Sequence, residues 1–149
     1  MAAAGTRARS GALAPEESER LGECLARLNR TLRREVALPL GSSAIQALGT
    51  LHDAGRLGLG DLARHEGVTP ATLSRVVALL EEEGYAVRTT DERDRRAAFL
   101  EITDAGREVV ARIRRDRARV LDARAGGLTP QQAAAVRAAL DALEALADA

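Results

Sequence analysis

The sequence predicts a mainly α-helical chain interrupted once by a small β-hairpin. Three observations predict it. Apolar residues recur at helical spacing from Pro15 almost to the last residue. Thr69-Pro70 and Thr129-Pro130 each join an N-cap side chain to a proline at the first helical position, where its missing N–H costs nothing. Between Tyr85 and Ile102 the apolar period shortens to two, as in extended chain.

Residues 1–14 are small, polar and rich in Gly and Ala, which reads as a flexible N-terminal arm. A first long helix opens near Pro15. Leu21, Leu25, Leu28 and Leu32 form one apolar stripe, and Val36 continues it; Arg27, Arg30, Arg33 and Arg34 lie beside or opposite. Leu38-Pro39-Leu40-Gly41 breaks the pattern. Ser42 or Ser43 caps a second helix carrying Ile45, Leu48 and Leu51 and ending near Gly55. A short third helix follows from about Gly60 to Glu66, stopped by Gly67. The helix opened by Thr69-Pro70 runs to about Glu83, with Leu73, Val76, Val77 and Leu80 inward and Gly84 as its stop.

Tyr85 to Thr90 and Ala97 to Ile102 read as two strands joined by the charged tip Asp91-Glu92-Arg93-Asp94-Arg95-Arg96. Thr103-Asp104 caps another long helix to about Ala123, with Val109, Val110, Ile113, Val120 and Leu121 apolar. After Gly126-Gly127, Thr129 to Gln132 spells a capping box, and the last helix carries Val136, Leu140, Leu143 and Leu146.

Composition narrows the function. The 149 residues suffice for one domain with its own core. Acidic and basic residues balance at 22 each, so a strongly basic polyanion-coating protein is excluded while a local basic patch is not. Every basic residue is an arginine, which a GC-rich coding bias also produces. The only aromatics, Tyr85 and Phe99, are too few for a base-stacking surface. One cysteine permits no internal disulfide, no apolar run is long enough for a membrane span, and no signal segment is evident, so the expected location is cytoplasmic.

The third helix, the turn at Gly67-Val68 and the helix from Thr69 make a helix-turn-helix, and the hairpin behind it makes a wing. In such a unit the second helix enters the DNA major groove with its N-terminal residues against base edges and phosphates. Thr69, Ala71, Thr72, Ser74 and Arg75 occupy that position: short hydrogen-bonding groups and one guanidinium fork. The tip offers Arg93, Arg95 and Arg96, with Arg88 on the strand before, to the negative potential of a narrow minor groove. Asp94 and its acidic neighbours orient the guanidinium groups. Glu81-Glu82-Glu83, at the far end of the helix, points away from a duplex or pairs with arginines elsewhere.

Leu57 to Gly106, and the wing segment DERDRRAAFLEITDAG most specifically, resembles the winged-helix core of the MarR family of bacterial transcriptional regulators. The flanking long helices fit as well, so the likeness covers nearly everything after the arm. It implies a homodimer, most often a repressor, with residues 15–40 and 103–149 as dimerisation helices and 42–102 as a DNA-binding lobe, the whole of 15–149 forming one domain. It implies that Arg96 enters the minor groove, oriented by Asp94, and that Arg95 contacts phosphate. It also implies a possible small-molecule effector, for which Arg27, Arg30 and Arg34 are candidate contacts. Independently of the family, Leu21, Leu25, Leu28, Leu32, Val136, Leu140, Leu143 and Leu146 are more apolar surface than a small reading lobe needs, and a second copy of the chain covers them most simply.

The other candidates have plainer readings. Cys24 sits among leucines and reads as a small buried hydrophobe in preference to a redox sensor. His52 and His65 are too few for a metal site and read as surface or helix-end residues. No nucleophile motif, phosphate loop or triad is present, so neither an enzyme nor a cofactor is expected. The alternative class is a winged-helix protein-interaction module that does not read DNA.

Overall fold

The computed structural model describes residues 13–90 and 98–148. The expected N-terminal arm (but for its last two residues) and the wing tip, with Arg93, Asp94, Arg95 and Arg96, lie outside the described residues. In chain order the elements are α1 (Pro15–Glu35), α2 (Ser42–Ala54), β1 (Leu57–Gly58), α3 (Leu59–Glu66), α4 (Pro70–Glu82), β2 (Ala86–Thr90), β3 (Ala98–Ile102), α5 (Asp104–Ala125) and α6 (Pro130–Ala147). The chain divides into two compact units, one through Glu35 and the other from Val36 onward.

The first unit contains α1, a single amphipathic helix with acidic Glu16 and Glu17 in its first turn and basic Arg33 and Arg34 in its last, each suited to the helix dipole. None of its residues is buried. Two expectations are thereby corrected. Cys24 is exposed, on a helix none of whose residues is buried. Val36 does not extend the stripe: the helix ends at Glu35, and Val36 is buried.

In the second unit the core is built from α2, α3, α4, the sheet and the first half of α5. Leu48, Leu51, Leu62, Leu80, Leu100 and Val77 are its largest fully enclosed side chains. Burying each stabilises the unit by about 1.5–3 kcal/mol. Val109, Val110 and Ile113 of α5 belong to the same core, so the start of that helix is packed into the lobe.

The local signals act where the sequence places them. Gly67 takes φ +62°, and the N–H groups of Gly67 and Val68 reach back to the carbonyls of Arg64 and Ala63, closing α3. Gly84, at φ +73°, ends α4 in the same way, with Tyr85 N–H donating to Leu80 O at 2.9 Å. The side chains of Thr69, Thr103 and Thr129 cap α4, α5 and α6, and Gln132 completes the capping box. The start of α2 differs: Gly41 is its N-cap and no side chain caps it.

The expected two-stranded hairpin is part of a three-stranded antiparallel sheet of order β1-β3-β2. The added strand is only Leu57–Gly58, paired with Leu100 and Phe99. Across β2 and β3, Ala86 faces Ile102 and Thr89 faces Phe99. Ala86, Leu100 and Ile102 turn into the core, while Val87 is 46% exposed.

Candidate nucleic-acid interface

Helix α4 buries Leu73, Val77 and Leu80 and half-buries Val76, which immobilises its inner face. The opposite face is thereby fixed toward solvent. Ala71, Thr72, Ser74 and Arg75 are all exposed there, together with Ala78, which the sequence reading did not single out. Their polar groups are not equally available. Thr69 Oγ1 accepts the backbone N–H of Thr72 and lies 3.0 Å from the Thr72 hydroxyl, so Thr69 holds the helix end in shape as well as being exposed. Ser74 donates its hydroxyl to Pro70 O at 2.9 Å and keeps only acceptor capacity. Arg75 makes no ion pair or hydrogen bond among the described residues.

Arg88 is engaged. Its Nε and Nη2 donate to the two carboxylate oxygens of Glu81 at 3.3 and 3.2 Å, a fork-to-fork pair joining β2 to the last turns of α4. This resolves the alternatives for the acidic run as far as Glu81 is concerned: it pairs with an arginine. A phosphate would have to compete with that carboxylate for Arg88.

The joint behind these elements is tightly made. Thr103 Oγ1 donates to Gly84 O at 2.7 Å and accepts from Gly106 N–H, and Thr103 N–H donates to Tyr85 O at 3.0 Å. The end of α4, the start of β2 and the start of α5 therefore move as one. On the other flank Arg114 of α5 donates to Asp53 of α2 at 2.7 Å.

Elsewhere, His52 is half-buried and His65 exposed, each in the last turn of its helix. Among the described residues no three His, Cys, Asp or Glu side chains converge as metal ligands, and no helix is long and apolar enough to cross a membrane. An open cleft of about 410 Å³ that sequence reasoning missed lies along α5, lined by Tyr85, Glu108, Val109, Arg112 and Arg115 among others. Its residues sit at helical spacing on one side of α5, which only the packing of that helix against Tyr85 makes concave.

The MarR family model matches residues 41–98, the segment from the start of α2 to the start of β3. An HTH-type transcriptional regulator of Mycobacterium tuberculosis is 33% identical over 129 residues, covering 86% of this chain and 90% of that protein. The chain belongs to the MarR family. Two solved structures carry the likeness into three dimensions. A MarR family transcriptional regulator from Silicibacter pomeroyi is 31% identical, with a TM-score of 0.58 over 83% of this chain and 84% of that one. The transcriptional regulator Tm0710 from Thermotoga maritima is 25% identical, with a TM-score of 0.72 over 91% and 96%. The winged helix-turn-helix read from the sequence is thus the fold of this MarR protein, and transcriptional regulation is its class of activity. The third strand enlarges the wing without altering that architecture.

Proposed function

We propose that this MarR protein binds operator DNA as a homodimer and represses transcription from it, with α4 in the major groove and the wing against the adjoining minor groove. One observation carries the reading. A capped helix N-terminus holds Thr72, Ser74 and Arg75, which makes no ion pair among the described residues, on an outward face, while the opposite face is locked into the core. In this arrangement Arg75 grips a guanine edge or phosphate, Thr69, Ala71, Thr72 and Ser74 shape the fit, and Arg93, Arg95 and Arg96 serve the minor groove and its phosphates with Asp94 as orienter. Arg88 stays with Glu81 and sets the angle between wing and helix. No catalytic step belongs to this function, and its place is the cytoplasm.

Residues 15–40 and 103–149 supply the pairing surface and 42–102 the reading lobe, into whose core the start of α5 also packs. Within the single chain Leu25 and Leu28 on α1 are exposed, as are Val136, Leu140 and Leu146 on α6, while Leu21, Leu32 and Leu143 are half-buried. Leaving these stripes in water is unfavourable, and a second copy removes them from it. Two-fold symmetry then sets half-sites about 10 bp apart. Leu140→Asp is expected to yield monomers in a solution mass measurement; an undisturbed dimer would remove α6 from the interface.

The cleft along α5 suits a small anionic effector, since Arg112 and Arg115 line it with neither in an ion pair among the described residues. For the DNA reading itself, selection of binding sites from a random duplex pool is the test. Arg75→Ala should lose sequence preference more than bulk affinity, because base contacts specify while phosphate contacts bind. An unchanged preference would count against Arg75 as a base reader. Absence of any duplex binding in low-salt fluorescence anisotropy would favour the protein-interaction module.

A further inference from the structure

We propose that Arg56 is a positioning residue for DNA binding, one that aims the wing through β3 without touching the duplex. The inference rests on the reading of the wing given above. Arg56 stands between Gly55, which ends α2, and the two-residue strand β1. Its guanidinium carbon lies 4.1 Å from the centroid of the Phe99 ring, and its Nε is 3.2 Å from Glu101 Oε1. The same carboxylate oxygen accepts the hydroxyl of Thr89 at 3.1 Å.

These four side chains share the outer face of the sheet, opposite Leu100 and Ile102. Thr89 is the register partner of Phe99, and Gly58 pairs with Phe99 from the other side. One arginine therefore ties together β1, β3 and, through Glu101, β2. On the inner face Arg88 and Glu81 make the second tie, from β2 to α4. A sheet gripped on both faces cannot change its twist freely, so Thr90 and Ala98, the paired strand ends that lead to the wing tip, are held in place.

Stability does not account for this arrangement. The Arg56 and Glu101 side chains are 43% and 41% exposed, and an ion pair that wet contributes little to folding. The flat guanidinium over an aromatic face is a geometric device that an ammonium reproduces poorly. The corner is also held from behind: Asp53, three residues before Arg56, is bonded to Arg114 of α5.

The test compares wild type with R56A and R56K on an operator obtained by site selection. Affinity is measured together with hydroxyl-radical protection of the minor groove, dimethyl sulfate protection of major-groove guanines, and thermal melting. R56A is expected to bind roughly 5- to 20-fold more weakly, the size of effect a non-contacting residue exerts through its neighbours. Minor-groove protection should fade while major-groove protection and the melting midpoint persist. R56K, which keeps the charge near Glu101 but not the stacked plane, should recover the protection only in part.

Unaltered affinity and minor-groove protection in R56A overturns the proposal. So does an equal loss in both grooves, which would mean a general structural role. Should R56A fail to fold, E101Q is judged by the same criteria. If wild type binds no duplex at all, the DNA-reading proposal itself has failed, and the role of Arg56 falls with it.

Discussion

Replacing Gly106 with alanine should destabilise the protein by about 3 kcal/mol, the upper part of the range for forcing an extra methyl into a packed interior. A Cβ at this position would lie 2.2 Å from Tyr85 O and 2.8 Å from Ile102 Cγ1. The carbonyl cannot swing aside, because it accepts the N–H of Thr103, and the turn that carries it is closed by Tyr85 N–H to Leu80 O and by the Thr103 hydroxyl on Gly84 O. Alanine's better helix propensity, up to about 1 kcal/mol in a helix interior, works in the opposite direction and is the smaller effect. A fall in the melting midpoint of roughly 6–12 °C is expected, at ~2–4 °C per kcal/mol for a chain near this size. Gly60→Ala is the control: among the described residues nothing outside its own helix turn lies within 4 Å of the added methyl, and stability should hold or rise. A Gly106→Ala protein melting with wild type would mean that α5 does not seat against Tyr85 as described.

Arg96→Ala should weaken operator binding by ~1–3 kcal/mol, and leave the far-ultraviolet circular dichroism and the melting curve unchanged. That corresponds to roughly 5- to 150-fold in affinity. A guanidinium in a narrow minor groove sits where the negative potential of two phosphate rows is focused, so its removal costs more than loss of a wet surface charge. Binding titrations across a series of salt concentrations should show a shallower slope if phosphate contacts go with it. Wild-type affinity for the mutant would remove Arg96 from the interface, and the likeness that suggested its role would then extend to the fold alone.

Much of this molecule was legible residue by residue. Thr69, Thr103 and Thr129 announce helix starts because an N-cap bonds within its own first turn. Gly67 and Gly84 announce stops because a left-handed residue suits glycine. The outward face of α4 follows from the inward one by helical period. The pairings across the chain were harder. A two-residue strand such as Leu57–Gly58 has no period to detect, and it forms because Leu100 and Phe99 present a free edge beside it. Glu81 finding Arg88 was only one of two readings, and Glu101 finding Arg56 was not foreseen at all.

Cys24 is exposed where its leucine neighbours predict burial, for a related reason. An apolar stripe states that something must cover it but not what does, and no residue of α1 is buried. The order of helices, the threonine caps of α4, α5 and α6, the glycine stops, the two strands of the hairpin and the outward face of α4 were determined by the sequence itself, since each depends on residues within a few positions of one another. The third strand, the two ion-paired grips on the wing and the concave side of α5 were decided only by tertiary structure, because they depend on distances between residues far apart in the chain, and those distances exist only once the core has closed.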